Sequence, residues 1–418
     1  MSLTCCLKCQ RATERRSKPR IKQHRRIDKR SGCVWSTRAH LNSPIAIAAA
    51  HSRERHVFSP QGSIPDGYTL GSMAVQAVIG VDLGGTNVRA GVLTQAGELL
   101  APPVQNPSRA QEGFEVTLEQ ILLTLEQAIE GSGVPRDAIG AIGMAVPGHI
   151  DSAQGVVRWA PNFGYTRADG VFEAWRDIPL AAAVESRLNI PVVMGNDANL
   201  AALGEYYYGS GRGTARGLVM ITLGTGIGGG VVLTREQIQG NADWKGGVLL
   251  VGFSGGAGEL GHVIIAFNGP RCGCGAQGCV EAFARRDAIV ELARELMRRH
   301  PNSLLHQLAQ GDPANITPAL VSEAYAQGDP LAAHIWEQIG AYLGVAIANY
   351  IHIFNPEVVA IGGQIAKAGK PLFEAIHRTV RAYAIPTLLE GCRIVPAERI
   401  EDAGILGGGA LAWQKVAL

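Results

Sequence analysis

One histidine and three cysteines lie within 18 residues of the chain, at His262, Cys272, Cys274 and Cys279. Thiolates and imidazole nitrogens are the ligands that zinc prefers, and four protein ligands make a closed, tetrahedral structural site. The spacing therefore predicts a structural zinc site. Glu259 precedes the histidine by three residues, and Glu281 follows the last cysteine by two. Because these acids flank the metal ligands, we expect the zinc to orient them.

Two glycine-rich turns, each between apolar strand-like runs, predict two phosphate loops. The first contains Asp82, Gly84, Gly85, Thr86 and Asn87, and the second contains Gly224, Thr225 and Gly226 within the run 224–230. Glycines let backbone N–H groups approach a phosphate closely, and Thr86 adds a hydroxyl donor. Asp82, at the end of its strand, would hold Mg²⁺ through water. A hairpin or bulge without a ligand is the alternative for either turn alone, and the pair favours phosphate binding.

Asp197 lies where a predicted strand, Pro191–Met194, meets a predicted helix, Ala198–Tyr208. An aspartate in this place is often only the helix N-cap. The flanking Asn196 and Asn199 exceed what a cap requires, which favours a general base that accepts the proton of an attacking hydroxyl.

Another strand, Val358–Ile361, ends in Gly362 and Gly363, where an adenine ring could lie against the backbone. A plain turn at the end of the strand is the alternative.

Strands alternating with helices predict an α/β fold. The strand–turn–strand pattern occurs twice, at 78–92 and 217–233, which predicts two related α/β domains facing one cleft. Apolar spacing predicts a helix over Phe114–Glu130, several helices from Arg285 to Phe354, and a closing helix over Ala403–Trp413. Asn162–Trp175 is predicted to be a loop, because it mixes glycine, asparagine and aromatic residues.

Charge is distributed unevenly along the 418 residues. Residues 1–72 carry 14 Lys and Arg against 4 Asp and Glu, whereas the other 346 carry 24 against 32. The basic head could be a nucleic-acid arm or a transit segment, but it lacks apolar periodicity, which favours a disordered extension before Met73. The acidic remainder gives no reason to expect nucleic acid as a partner.

The sequence also bears on the compartment. No apolar run reaches the roughly 18–20 residues that cross a bilayer, so no membrane partner is expected. The head has no secretory h-region, and free cysteines suit a reducing cytosol, so a cytoplasmic location is expected.

In their order along the chain, the motifs resemble the ROK family of bacterial sugar kinases and repressors. The resemblance covers about Val78 to Leu411 and is nearest to the members that phosphorylate glucose. It rests on Asp82–Asn87, Val146–Gly148, Ala160–Asn162, Asn196–Asn199, Gly224–Gly230, Gly258–His262, Cys272–Glu281, Glu357–Gly363 and Asp402–Leu406.

The resemblance implies an actin-like (hexokinase-like, ribonuclease H-like) fold of two domains around a central cleft. The domains would be 73–197 plus 403–418, and 198–402. It implies a hexose and a nucleotide as ligands, with ATP, Mg²⁺ and structural Zn²⁺, in a homodimer or homotetramer. Asp197 would be the general base, while Asp82, Gly85, Thr86, Thr225 and Gly226 would surround the phosphates and Mg²⁺. The sugar hydroxyls would be held by Asn162, Asn196, Glu259, His262 and Glu281.

The chain departs from the family pattern at three places. Gly195 stands where a glutamate is expected, and Arg285 and Arg286 stand where small residues are expected. The segment between Gly230 and Gly258 is about a dozen residues longer than expected through 244–250, and it is predicted to border the sugar site.

Two other functions stay open at the level of sequence. The chain could phosphorylate another sugar, namely N-acetylmannosamine, N-acetylglucosamine or fructose, and polyphosphate is an alternative donor. It could also be a sugar-responsive repressor of the same family. Residues 1–72 show no paired amphipathic helices with a glycine turn, which favours the enzyme.

Overall fold

The structure is a computed structural model that describes residues 75–239 and 246–417. The basic head, 1–72, and Trp244 of the long segment lie outside the described residues. Among those described, no helix is both long and apolar enough to cross a membrane.

Two five-stranded sheets share one topology. The first has the order β3-β2-β1-β4-β8 and the second β11-β10-β9-β12-β13. In each sheet the second and third strands in this order form an antiparallel hairpin, and the last three strands run parallel. The predicted duplication is therefore present in the strand pairing.

The first sheet consists of β1 (Ala77–Leu83), β2 (Asn87–Leu93), β3 (Val104–Pro107), β4 (Ile139–Val146) and β8 (Val192–Asn196). The second consists of β9 (Leu218–Leu223), β10 (Ile227–Thr234), β11 (Gly247–Leu249), β12 (Val358–Gly362) and β13 (Arg393–Pro396).

A third, antiparallel sheet contains β5 (His149–Asp151), β6 (Val156–Thr166) and β7 (Phe172–Ile178). The prediction of a loop over Asn162–Trp175 is therefore wrong, because most of these residues belong to β6 and β7. The register shifts between Ala160 and Gly164, so a bulge interrupts the regular alternation that would have signalled a strand. Phe163 and Trp175 are buried with their ring centroids 4.9 Å apart, and this contact anchors the sheet in the core.

The longer α-helices are α1 (Phe114–Ser132), α2 (Leu180–Leu188), α3 (Asp197–Tyr208), α6 (Arg286–Met297), α8 (Pro318–Ala326), α9 (Pro330–Phe354), α10 (Lys370–Tyr383) and α12 (Ala403–Val416). The shorter ones are α4 (Arg235–Gln239), α5 (Val280–Ala284), α7 (Leu305–Leu308) and α11 (Pro386–Leu389). The helices predicted at 114–130, 198–208 and 403–413 are confirmed, each with one end as predicted and the other displaced by one to three residues.

The largest apolar clusters form separate cores. One gathers residues of the first sheet with α1 and α2, and another gathers residues of the second sheet with α5 to α10. A smaller cluster joins α3 to β9, β12 and α12.

Helix α12 lies against β1, β4 and α3 at glycine contacts. A Cβ added to Gly143 of β4 would lie 1.8 Å from the carbonyl oxygen of Gly408, and one added to Gly407 would lie 1.9 Å from that of Leu200. Only glycine permits such approach of one backbone to another. The helix therefore meets β4 and α3 at close backbone contacts, while its Leu406 and Ala412 side chains pack with Val78, Leu93 and Ala141 of the first sheet.

The second glycine-rich turn is shorter than predicted. Only 224–226 form the turn, because residues 227–230 already belong to β10. Three successive glycines, 228–230, are needed in β10 because α3 and the segment after β11 pack closely against this strand. A Cβ on Gly230, for example, would lie 2.6 Å from the Cβ of Ala202 in α3.

The described residues 247–249 of the long segment lie away from the second glycine turn, and the prediction that the segment borders the sugar site stays a prediction. Thr234 pairs with Gly247, so residues 235–246 connect β10 to β11 at the end of β10 that is remote from the 224–226 turn. Seven residue steps of about 3.3 Å separate the two ends of β10, or about 23 Å. The chain turns back toward the other end only after β11, from Leu250 onward.

Candidate active site

The two glycine turns occupy equivalent places in the two sheets. Residues 84–86 join β1 to β2, and residues 224–226 join β9 to β10. Each turn is closed by a backbone hydrogen bond, from Gly84 N–H to Asn87 O at 2.8 Å and from Gly224 N–H to Gly226 O at 2.9 Å. Thr86 and Thr225 are exposed at the tips. The turns therefore offer backbone donors and hydroxyls to a ligand.

Asp197 is the first residue of α3 and is not its N-cap. That role belongs to Asn196, whose side-chain oxygen accepts hydrogen bonds from Ala198 N–H at 3.0 Å and Asn199 N–H at 3.1 Å. The Asn196 amide nitrogen also donates to Gly148 O at 3.1 Å. Burial raises the pKa of the Asp197 carboxyl above its usual value of 3.8. A carboxylate with a raised pKa is a better proton acceptor.

Asp82 lies among charged groups that join the first sheet to the start of α12. Burial raises the pKa of its carboxyl, the positive charge of Arg89 lowers it, and the negative charges of Asp197 and Asp402 raise it. Arg89 forms an ion pair with Asp402 at 2.7 Å. A Cβ on Gly404 would lie 2.5 Å from the Asp82 carboxyl carbon, so this glycine makes room for the acid.

The sequence predicted Asp82 and Asp197 but missed Arg89, Asp402 and Gly404 as neighbours. Arg89 is the third residue of β2 after the first turn, and the other two lie at the N-terminus of the last helix. The only signal was the run Asp402–Leu406, in which small residues follow an acid.

The four metal-ligand candidates are brought together. Their ligand atoms all lie within 4.8 Å of one another. His262 Nδ1 is 3.6 Å from Cys272 Sγ, and Cys274 Sγ is 3.8 Å from Cys279 Sγ. Two sulfurs that each lie about 2.3 Å from a tetrahedral zinc are about 3.8 Å apart, so the donors and their spacing fit this metal.

Both flanking acids contact the cluster. The Nε2 atom of His262, on the ring edge away from Cys272, lies 3.8 Å from the Glu259 carboxylate. The Cys272 thiol donates to Glu281 at 3.4 Å, and the other oxygen of Glu281 accepts the N–H of Ile227 at 2.9 Å. Glu281 therefore links the cysteine cluster to the second glycine turn.

Two further residues were singled out in the sequence, Asn162 as a site residue and Gly195 as a departure from the family pattern. Asn162 is exposed in the bulge of β6, and no hydrogen bond between described residues joins it to the Asp197 region. Gly195 is buried in β8, where an added Cβ would lie 3.1 Å from Leu200, so Leu200 occupies the space that a larger side chain would need.

A cavity of about 480 Å³, named here the Trp336 cavity, opens beside the second turn. It is lined by Gly224, Thr225, Arg286, Thr317, Pro318, Ala319, Ser322, Trp336, Gln364, Ile365, Lys367 and Ala368. Its wall is mainly apolar, and the indole N–H of the fully buried Trp336 has no hydrogen-bond partner among the described residues. An orphaned buried donor and apolar walls suit a planar heterocycle.

Gly362 and Gly363, predicted to contact adenine, lie beside this cavity. A Cβ on Gly363 would lie 2.2 Å from Leu223 O, so this glycine lets the chain pass close to the end of β9. The cavity wall begins at the next residue, Gln364.

The chain is similar to known proteins over most of its length. The family model described as "ROK family" matches residues 78–415. A glucokinase of Thermotoga maritima is 37% identical over 81% of this chain and 98% of its own length. A ROK family glucokinase from Streptomyces griseus, solved with glucose and AMPPNP, is 31% identical, with a TM-score of 0.62 over 81% of this chain and 99% of that one. A xylose repressor of Caldicellulosiruptor bescii is 27% identical over 80% of this chain and 77% of its own length.

Proposed function

Because the chain belongs to the ROK family, we propose that it is an ATP-dependent glucokinase, which converts glucose and ATP to glucose 6-phosphate and ADP. The family's fold, an actin-like fold of two α/β domains around a cleft, is the fold of this chain. The observation that carries the activity is the placement of Asp197 near Asp82, at the ends of strands of the first sheet beside a glycine turn.

The two glycine turns would hold the triphosphate from opposite domains, with Thr86 and Thr225 adding hydroxyl donors. The Trp336 cavity would take the adenosine, because it adjoins the 224–226 turn and its walls are mainly apolar. Mg²⁺, held through water by Asp82, would neutralise charge on the phosphate oxygens.

Asp197 would act as the general base. The 6-hydroxyl oxygen of glucose attacks the γ-phosphorus, and its proton passes to the Asp197 carboxylate. The bond between the γ-phosphorus and the oxygen that bridges it to the β-phosphorus breaks, and its electrons leave with ADP. Closure of the domains would exclude water, which otherwise competes with the sugar as acceptor.

The sugar hydroxyls would be held by residues around the cysteine cluster and the start of α3. His262 belongs to the metal-ligand cluster, and Glu259 and Glu281 contact it. The Asn196 amide donates one hydrogen to Gly148 O and retains a second for the sugar. Asn162 would complete the set from β6. Zinc, bound by His262 and the three cysteines, would supply a rigid support for these side chains.

Several properties of the whole protein follow as proposals. The domains would be 73–197 plus 403–418, and 198–402, and the protein would be a homodimer or homotetramer. The cysteines at 272, 274, 279 and 392 form no disulfide bonds, which suits a cytoplasmic enzyme.

The decisive experiment is a panel of sugars with ATP and Mg²⁺, in which the purified chain is assayed by coupled release of ADP. Glucose is expected to give the highest kcat/KM, above mannose, fructose, N-acetylglucosamine and N-acetylmannosamine. Preference for another sugar would assign the chain to that sugar, and turnover with polyphosphate but not ATP would change the donor. No turnover, together with sugar-dependent DNA binding in a gel-shift assay, would favour a repressor.

The role of Asp197 is tested by Asp197→Ala. Removal of a general base lowers turnover by about 10²–10⁴-fold. Glucose affinity, measured by calorimetry, is expected to stay close to that of the parent protein. Near-normal turnover with intact glucose binding would exclude Asp197 as the base.

A further inference from the structure

The Trp336 cavity has an unusual charge for this chain. Its lining contains two cations, Arg286 and Lys367, and none of the described residues that line it is acidic. The chain after residue 72 nevertheless carries more acidic than basic residues. A positive, mainly apolar cavity next to a glycine turn suits an organic polyanion.

Arg286 is fixed to the turn by its backbone. Its N–H donates to Gly224 O at 2.9 Å, so its Cα is held beside the residues that would contact the phosphates. Its side chain is 54% exposed, and its Nε donates to the carboxylate of Asp287 at 2.9 Å. This bond leaves both Nη nitrogens of the guanidinium without a partner among the described residues.

We propose that Arg286 binds the two phosphates of the donor nucleotide that are not transferred. The inference rests on the proposed function, since it assumes that a nucleotide occupies the cavity with its base toward Trp336. A guanidinium offers paired N–H groups that match two phosphate oxygens, and Asp287 holds the side chain by its remaining donor.

The neighbouring residue supplies a matched control. Arg285 also stands where the family resemblance leads us to expect a small residue, but it is not part of the cavity wall. Its replacement removes the same charge one residue away. Of these two arginines, only Arg286 is therefore expected to affect binding of the donor.

The test compares the parent protein, Arg286→Ala, Arg286→Lys and Arg285→Ala by titration calorimetry with ATP, ADP and adenosine. For Arg286→Ala we expect ATP and ADP to bind about 3- to 20-fold more weakly, the range of one partly exposed charge-assisted contact. Adenosine affinity should be unchanged, and Arg286→Lys should recover part of the loss. Arg285→Ala should bind all three ligands like the parent.

Unchanged affinity of Arg286→Ala for ATP and ADP would overturn the inference while leaving the proposed function intact, provided that the parent phosphorylates glucose. An equal loss of adenosine affinity would also overturn it, because the substitution would then disturb the cavity rather than remove a phosphate contact. If the parent itself binds neither ATP nor ADP, the inference and the proposed function both fail.

Discussion

At the scale of single residues, the proposed chemistry depends on two carboxyl groups, those of Asp82 and Asp197, whose pKa values are both raised by burial. Asp197 was open to two interpretations, and the structure excludes the N-cap because Asn196 performs the capping, while the general base stays a proposal. The cysteine cluster was predictable because its ligands lie close together in sequence. Asp402 and Gly404 were not, since they reach Asp82 only through the return of α12 to the first sheet.

The raised pKa of Asp197 has a consequence for the dependence of turnover on pH. The base works only when it is ionised, so kcat/KM for glucose should fall as the pH falls through the pKa of this group. Because burial raises that pKa, the fall should begin at a higher pH than for an exposed aspartate. A profile of kcat/KM against pH measures this, and a rate that stays constant until the pH approaches 3.8 would contradict it.

Gly404→Ala should damage the phosphate site without a change of charge. The added methyl group would lie 2.5 Å from the carboxyl carbon of Asp82, so either this acid or the start of α12 must move. We expect at least about a 10-fold loss of kcat/KM for ATP, since displacements near 1 Å at a reacting centre can cost 10²-fold. Gly369→Ala would be a poor control. Although an added Cβ there has space, Gly369 has a positive φ, which alanine rarely adopts.

Gly131→Ala is a better control, since an added Cβ there meets nothing within 4 Å and this glycine lies inside α1. It should leave kcat/KM for ATP as in the parent. Equal kinetics in both variants would show that Asp82 tolerates the crowding.

At the scale of elements, apolar periodicity predicted the helices well because their apolar residues are buried against a sheet or against other helices. It failed at Asn162–Trp175, where a bulge and the pairing of Phe163 with Trp175 depend on contacts distant in sequence. Tyr350 makes another contact between residues distant in sequence. Its hydroxyl donates a hydrogen bond to Leu260 O at 2.6 Å, which connects α9 to the turn that carries His262.

Loss of the proposed zinc should weaken sugar binding more than donor binding. Cys274→Ser removes one of four ligands, and we expect less zinc by mass spectrometry of the intact protein and about a 10- to 100-fold higher KM for glucose. The KM for ATP should change less, because the Trp336 cavity contains none of the four ligands. Cys392→Ser is the matched control, since this thiol lies outside the cluster. Retention of both zinc and glucose affinity in Cys274→Ser would contradict the supporting role of the metal.

At the scale of the whole molecule, the repeated strand–turn–strand pattern predicted two related sheets, and their strand orders agree. The sequence could not show that the long segment leaves the second sheet at the end remote from the glycine turn. That placement depends on the pairing of Thr234 with Gly247, which no local pattern reveals.

A chain that begins at Met73 should keep the full activity. The first strand starts at Ala77, and its pairing partners all lie within the described residues. We expect kcat and KM for glucose and ATP within about twofold of those of the full chain, and an unchanged melting temperature. A large loss of activity or stability would show that residues 1–72 contribute to the folded enzyme.

The glycines of this protein are required for two different reasons. At the seam of α12, a methyl group on Gly143 or Gly407 would collide with backbone, so these positions admit no larger residue unless a helix shifts. A Cβ on Gly85 meets nothing within 4 Å, so folding leaves that position open to substitution. At Gly143 and Gly407 the lack of a side chain is needed for packing within the fold. At Gly85 it leaves space for a ligand. Gly85→Ala should therefore lower the activity while leaving the fold and its stability unchanged.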